Sequence, residues 1–220
     1  MMMSGLDRHQ ILEDLAELGK CGAKIFGSDV HGFRLNLPLG EINVLAFEQA
    51  HGICLPEDYR SFLTVIGNGG AGPFYGVFPL GKFDGSGNSL VPWSEGDGFV
   101  GTLRLPFPLR EAWNDLALLP AEELLATDET EYWKQIKRFE AAHWDSSRMN
   151  GAIPICHMGC ALRVWLVVTG EQSGFLWRDG RTDDSGLSPL LLRDGSRAQF
   201  GSWYSEWLQD ALASSKLKGK

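Results

Sequence analysis

Cys156-His157-Met158-Gly159-Cys160 sets two thiols and an imidazole within five residues, a composition that invites a metal. Zinc needs about four ligands in a closed tetrahedron. This stretch offers three, no second paired motif accompanies it, and only His143 presents itself as a fourth. The order also differs from the C-x-x-C-H pattern of haem attachment. Free cysteines bury readily as small apolar residues. No metal and no cofactor is assigned to it.

The stretch IGNGGAGPFYGVFPL, Ile66 to Leu80, has glycines at 67, 69, 70 and 72. A phosphate loop follows a strand, opens a helix and carries Lys and Ser/Thr. A dinucleotide loop has the same strand-to-helix order. Here the order is reversed, and no Lys or Arg lies within the loop. The glycines read as a corner between a helix and a following strand, with positive φ at several positions. Hydrolase chemistry finds no better footing. There is no G-x-S-x-G elbow, Ser86 and Ser89 have no evident histidine partner, and the five histidines are scattered. Asp183 and Asp184 stand beside Ser185-Gly186 and read as turn residues rather than an acid/base pair. The expectation is a protein that is not an enzyme, with no catalytic residue.

Acids crowd the middle of the chain. Glu111, Asp115, Glu122, Glu123, Asp128, Glu129 and Glu131 all occur before any Lys or Arg intervenes. One reading is a solvated face. The other is a docking surface for a basic protein, since complementary charge speeds encounter. Trp93, Trp113 and Trp144 read equally as aromatic anchors or as core plugs.

The elements that must position these residues follow from pattern. A helix is expected over 6–18 and a short strand at 33–37. A helix follows over 41–51, and another opens at Pro56-Glu57-Asp58 and runs to Ile66. A strand is expected at 74–80, a long loop over 84–98, and helices at 111–116 and 129–142. The last third reads as strands at 151–155 and 162–168, a return strand at 174–178, and a helix over 200–212. The sum is an α+β fold, a mostly antiparallel sheet packed against helices in a single domain. The expected boundaries are 1–36 for an N-terminal helix and irregular extension, 37–213 for the domain, and 214–220 for a frayed tail. The chain has 220 residues and a net charge of −8. That length buries roughly 70% of the unfolded surface without staples. The charge disfavours nucleic acid as a ligand. No apolar run approaches the ~20 residues of a membrane span, and Met1 to Gly5 leads into a charged stretch without a signal region. The four scattered cysteines then read as reduced thiols of a cytoplasmic protein.

One stretch carries a family likeness. Leu55-Pro56-Glu57-Asp58-Tyr59, then Phe62-Leu63, then Asn68-Gly69-Gly70 before an aromatic run, resembles the signature of the SUKH superfamily, the Smi/Knr-like group. Gly151 to Ile155, Leu166 to Gly170 and the closing Trp203-Tyr204 with Trp207-Leu208 fall in the matching order. The likeness spans roughly Leu37 to Leu212 and leaves Leu6 to Gly32 without a counterpart. It implies a SUKH-like α+β domain with no shared catalytic centre. In that fold Leu55, Pro56, Tyr59, Phe62, Leu63, Asn68, Gly69, Gly70, Trp203 and Trp207 are structural. For bacterial members it implies an immunity protein of contact-dependent or polymorphic toxin systems, binding a toxin that is often a nuclease. The seven acids are then the residues expected to meet a basic toxin domain. The alternative is a regulatory or scaffold protein of the same fold with another protein partner, and last in order an enzyme acting in the groove beside the sheet, for which no motif speaks.

Overall fold

The computed structural model describes residues 6–84, 90–96 and 99–218. The expectations at Met1 to Gly5, Ser86 and Ser89 fall outside these. Helix α1 (Arg8–Lys20) starts where the Asp7 carboxylate accepts the His9 and Gln10 N–H groups. That is the usual remedy for the orphan donors of a first turn. Its Ile11, Leu15 and Leu18 turn inward and pack on the last helix. The N-terminal extension is therefore part of the core cluster rather than an appendage. A short helix α2 (Ser28–His31) and helix α3 (Glu41–His51) follow. Helix α4 (Glu57–Ser61) opens with Pro56, Glu57 and Asp58 as expected, then widens into a π-helical turn at Phe62–Ile66.

The glycine corner is a backbone crossing. Gly70 exchanges both hydrogen bonds with Val77, at 2.8 Å each, while Asn36 N–H donates to Gly69 and Ala71 N–H to Arg34. Gly69 and Gly70 sit at φ 77° and 103°. A Cβ on either would lie 2.5 Å from a carbonyl oxygen, of Val77 and Arg34 respectively. Only glycine fits so close an approach.

A small hairpin, β1 (Lys82–Asp84) and β2 (Leu90–Pro92), interrupts the expected loop over 84–98. The main sheet is an antiparallel meander of β3 (Ala152–Gly159), β4 (Leu162–Val167), β5 (Leu176–Gly180) and β6 (Gly186–Pro189). Trp165 and Trp177 are register partners on one face, with Phe83 and Phe107 against them. The β3–β4 turn places Cys160 and Ala161 at φ 48° and 62°. Helix α7 (Phe200–Lys218) closes the molecule. Phe200 packs 4.9 Å from both the Tyr59 and Phe62 rings, and the Tyr204 hydroxyl donates to Ala71 O at 2.9 Å. Asp58 Oδ2 accepts the Gly201 N–H at 2.8 Å, so α4 caps α7.

Several expected elements differ. Phe74 to Leu80 is not a strand: Phe74 and Gly76 take positive φ, and only Val77 forms isolated bridges, to Gly70 and Cys156. Of 33–37 only Leu35 bridges, to Gly70. No helix forms over 111–116, because Trp113 exchanges both backbone bonds with Leu187 of β6. Strand β6 was not expected from its Ser188-Pro189, which suits a sheet edge. The residues Ser214 to Lys218 are helical rather than a frayed tail, since no glycine or proline interrupts Leu212 to Lys218. No helix among the described residues is long and apolar enough to cross a membrane.

Candidate functional site

The acidic segment builds a projecting arm. It leaves the sheet at Trp113, bridged to Leu187, passes a 3-10 turn at Leu116–Leu118, and forms helices α5 (Glu123–Thr127) and α6 (Glu129–His143). Asp128 ends α5 and caps α6, accepting the Glu131 N–H at 3.0 Å. The helices pack on each other, and α6 fully buries only one residue, His143, at its C-terminal end.

His143 fixes the arm to the body. Its Nδ1 lies 2.5 Å from Asp115 Oδ1, and both side chains are almost fully buried. Phe139 stacks on the imidazole at 5.0 Å, and Trp113 and Trp144 enclose it. The carbonyl of His143 accepts Arg181 Nη1 at 3.0 Å. Arg181 is itself buried and forked onto Asp179 at 2.9 and 2.7 Å. A guanidinium at the last carbonyls of α6 complements the helix dipole. Arg148 lies 3.8 Å over the Trp113 ring and donates to Ala142 O. This root of paired charges and rings orients two helices that otherwise touch little.

The acids do not all share one role. Asp115 is withdrawn from solvent by His143 and is corrected from a partner-facing residue to an internal fastening. Glu122, Glu123, Asp128 and Glu129 are exposed on α5 and the start of α6, and Glu111 is exposed beside the root. Glu131 is half-buried, and its bonds from Gln135 and then Lys134 hold its carboxyl below the ordinary range. Further along α6 the charge reverses: Lys134, Lys137 and Arg138 surround Trp133 in a shallow depression. Four large apolar side chains stand in solvent on this arm: Leu118, Leu119, Leu125 and Trp133, with Leu118 72% and Trp133 50% exposed. The sequence reading missed them, along with the His143 fastening. The signal was present. Tyr132, Ile136, Phe139 and His143 make a helical stripe, and a histidine on an apolar stripe asks for a buried partner.

The other candidates resolve into structure. The N–H groups of Gly67 through Ala71 are all spent on backbone carbonyls, leaving none to cradle phosphate. Leu55, Tyr59, Phe62 and Leu63 are buried core, Pro56 starts α4, and Asn68 Oδ1 holds the Leu80 N–H at 2.8 Å. Trp203 is buried, while Trp207 is half-buried. Cys156 is buried on β3, its Sγ 3.2 Å from Pro73 O, and Cys160 is exposed at the turn. Among the described residues no group of three or more His, Cys, Asp or Glu gathers to hold a metal. Asp183 closes a turn onto Ser185 and Arg178. Trp113 and Trp144 are root plugs, and Trp93 packs on Phe47 and His51.

No protein-family model, curated protein or solved structure matches this chain.

Proposed function

We propose that this chain is a protein-binding immunity protein, working in the cytoplasm, that neutralises a basic toxin domain of the nuclease kind. The observation that carries the reading is the arm. Exposed apolar anchors at Leu118, Leu119 and Leu125 accompany exposed carboxylates at Glu122, Glu123, Asp128 and Glu129, and Trp133 stands between Glu129 and the basic turn of Lys134, Lys137 and Arg138. Apolar anchors inside a polar rim are the usual anatomy of an interface. The net charge of −8 adds a long-range pull toward a cationic partner. The likeness of Leu55–Gly70 to the Smi/Knr-like signature supports the same reading. Neutralisation is then a matter of coverage: the arm shields the cleft in which a nuclease holds phosphate, and no bond is made or broken.

The test is calorimetric binding to a toxin domain encoded beside this chain's gene, at low and moderate salt. Binding should be tight, and its association should slow as salt screens the rim. Reversing Glu122, Glu123 and Glu129 to Lys together should weaken it by roughly ten-fold or more, with a melting temperature lowered only modestly by the positive charge placed at the starts of α5 and α6. Binding indifferent to that triple reversal would remove the arm from the interface. Absence of binding would shift the weight to a scaffold role with another protein.

A further inference from the structure

A recess along α7 has a different chemistry from the arm. Trp203, Glu206, Trp207 and Asp210 line it from the helix, and Phe26 and Phe74 line it from two loops, around a cavity of about 330 Å³. That is at the low end of the ~300–1,000 Å³ found for small-ligand sites. Residues four apart share a helix face. Trp203 with Trp207 therefore makes an aromatic row, and Glu206 with Asp210 a parallel row of carboxylates. Phe26 is 60% exposed although its ring meets Phe74 edge-on at 6.3 Å.

The carboxylate row already holds a guanidinium. Arg193 Nε lies 3.2 Å from Glu206 Oε1, and its Nη1 lies 2.7 Å from Asp210 Oδ1. Both contacts use one oxygen of each carboxylate. The Arg193 side chain is 62% exposed, so the pair sits at the solvent edge, where such bonds are weak and exchangeable. A guanidinium is planar, weakly hydrated and able to stack on tryptophan while donating to carboxylates. Its aliphatic stem also covers apolar surface. The lining of the recess holds all three complements together: indole rings at Trp203 and Trp207, carboxylates at Glu206 and Asp210, and phenyl rings at Phe26 and Phe74.

We propose that this recess receives an arginine side chain presented by a protein partner. The guanidinium lies against Trp207, Glu206 and Asp210, and the stem lies along Phe26 and Phe74. The inference does not depend on the arm or on the partner being a toxin.

The test uses the full chain and Nα-acetyl-arginine methylamide, with the lysine and norleucine analogues for comparison. The indole N–H resonances of Trp203 and Trp207, assigned with Trp207→Phe, report binding. Saturable shifts are expected with a dissociation constant on the order of millimolar. Lysine should bind roughly five-fold more weakly, and norleucine should give no shift. Glu206→Gln combined with Asp210→Asn should weaken arginine binding by roughly five-fold or more. Arg193→Gln removes the competing guanidinium from both carboxylates, although the backbone N–H of residue 193 stays on Glu206 Oε1 at 3.1 Å, and should strengthen binding several-fold. Thermal melting of each variant separates a lost site from a lost fold. No saturable shift overturns the proposal, as does norleucine binding as well as arginine, or affinity unchanged in both variants. Arginine binding here together with an arm whose charge reversal is silent would sink the arm reading alone.

Discussion

His31 shows how a single ring couples burial to pH. Its Nδ1 accepts the Phe33 N–H at 3.1 Å, its Nε2 is buried without a partner, and burial lowers its affinity for a proton. A proton on Nδ1 would meet a hydrogen already pointing at it. The unfolded chain protonates near the ordinary value of about 6.5 and the folded chain only below that. The unfolded state thus binds more protons across this window, so the His31 contribution is complete above about pH 6.5 and declines as pH falls below it. His31→Asn keeps an acceptor two residues before Phe33 and removes the titration. Urea midpoints of the variant should vary less with pH below about 6.5 than those of the wild type, and parallel curves would refute this. Cys156 offers a second residue-scale test. Burial pushes its thiol well above the ordinary range, whereas Cys21, Cys54 and Cys160 are exposed. Native-state alkylation should modify those three and leave Cys156 until the chain unfolds. Residue type did not single out Cys156 as the buried thiol, since three of the four cysteines are exposed; its place on β3 decides it. That His143 needs a buried partner was readable; that the partner is Asp115 was not, because the two lie 28 positions apart across irregular and helical chain.

At the scale of elements, the β3–β4 hairpin is paired by the wrong residues for its turn. Both loop positions, Cys160 and Ala161, are left-handed, the geometry that Asn-Gly fills without strain. Cys160→Asn with Ala161→Gly should raise stability by about 1 kcal/mol, read from denaturant unfolding with an unchanged m-value. The strands themselves announced their place through Val164, Leu166 and Val167, but nothing in Gly159 to Leu162 announced a two-residue reversal. The same contrast runs through the arm. The apolar stripe of α6 was legible as a helix, whereas Trp113 joining the sheet at Leu187 was not, since a single bridge leaves no periodicity. Asp115→Ala would strand the His143 imidazole in the root, at a cost of about 1–3 kcal/mol. Amide exchange across Glu129–His143 should then accelerate by roughly ten-fold or more while β4 stays protected. Equal acceleration in β4 would mean that the arm and sheet open as one unit.

For the whole molecule, the α+β class and the closing helix were legible because long amphipathic and β-branched segments dominate them. The way α4 meets α7 was not, because Asp58 capping Gly201 and Phe62 packing on Phe200 are contacts that no local pattern encodes. They tie the start of α4 and its π-helical turn to α7. Phe200→Ala should therefore cost about 3–5 kcal/mol, measured by urea denaturation, even though Phe200 lies at the first turn of its helix. A loss under about 1 kcal/mol would show that the core reseals without it. This closure also sets a schedule. Phe62 leaves the ribosome roughly 140 residues ahead of Phe200, an interval of about 7–28 s at ordinary synthesis rates. Throughout it, Tyr59, Phe62 and Leu63 wait without the aromatic face that will cover them. The aromatic contacts of Tyr59 and Phe62 with α7 can therefore close only once that helix has emerged, and until then this surface depends on other cover.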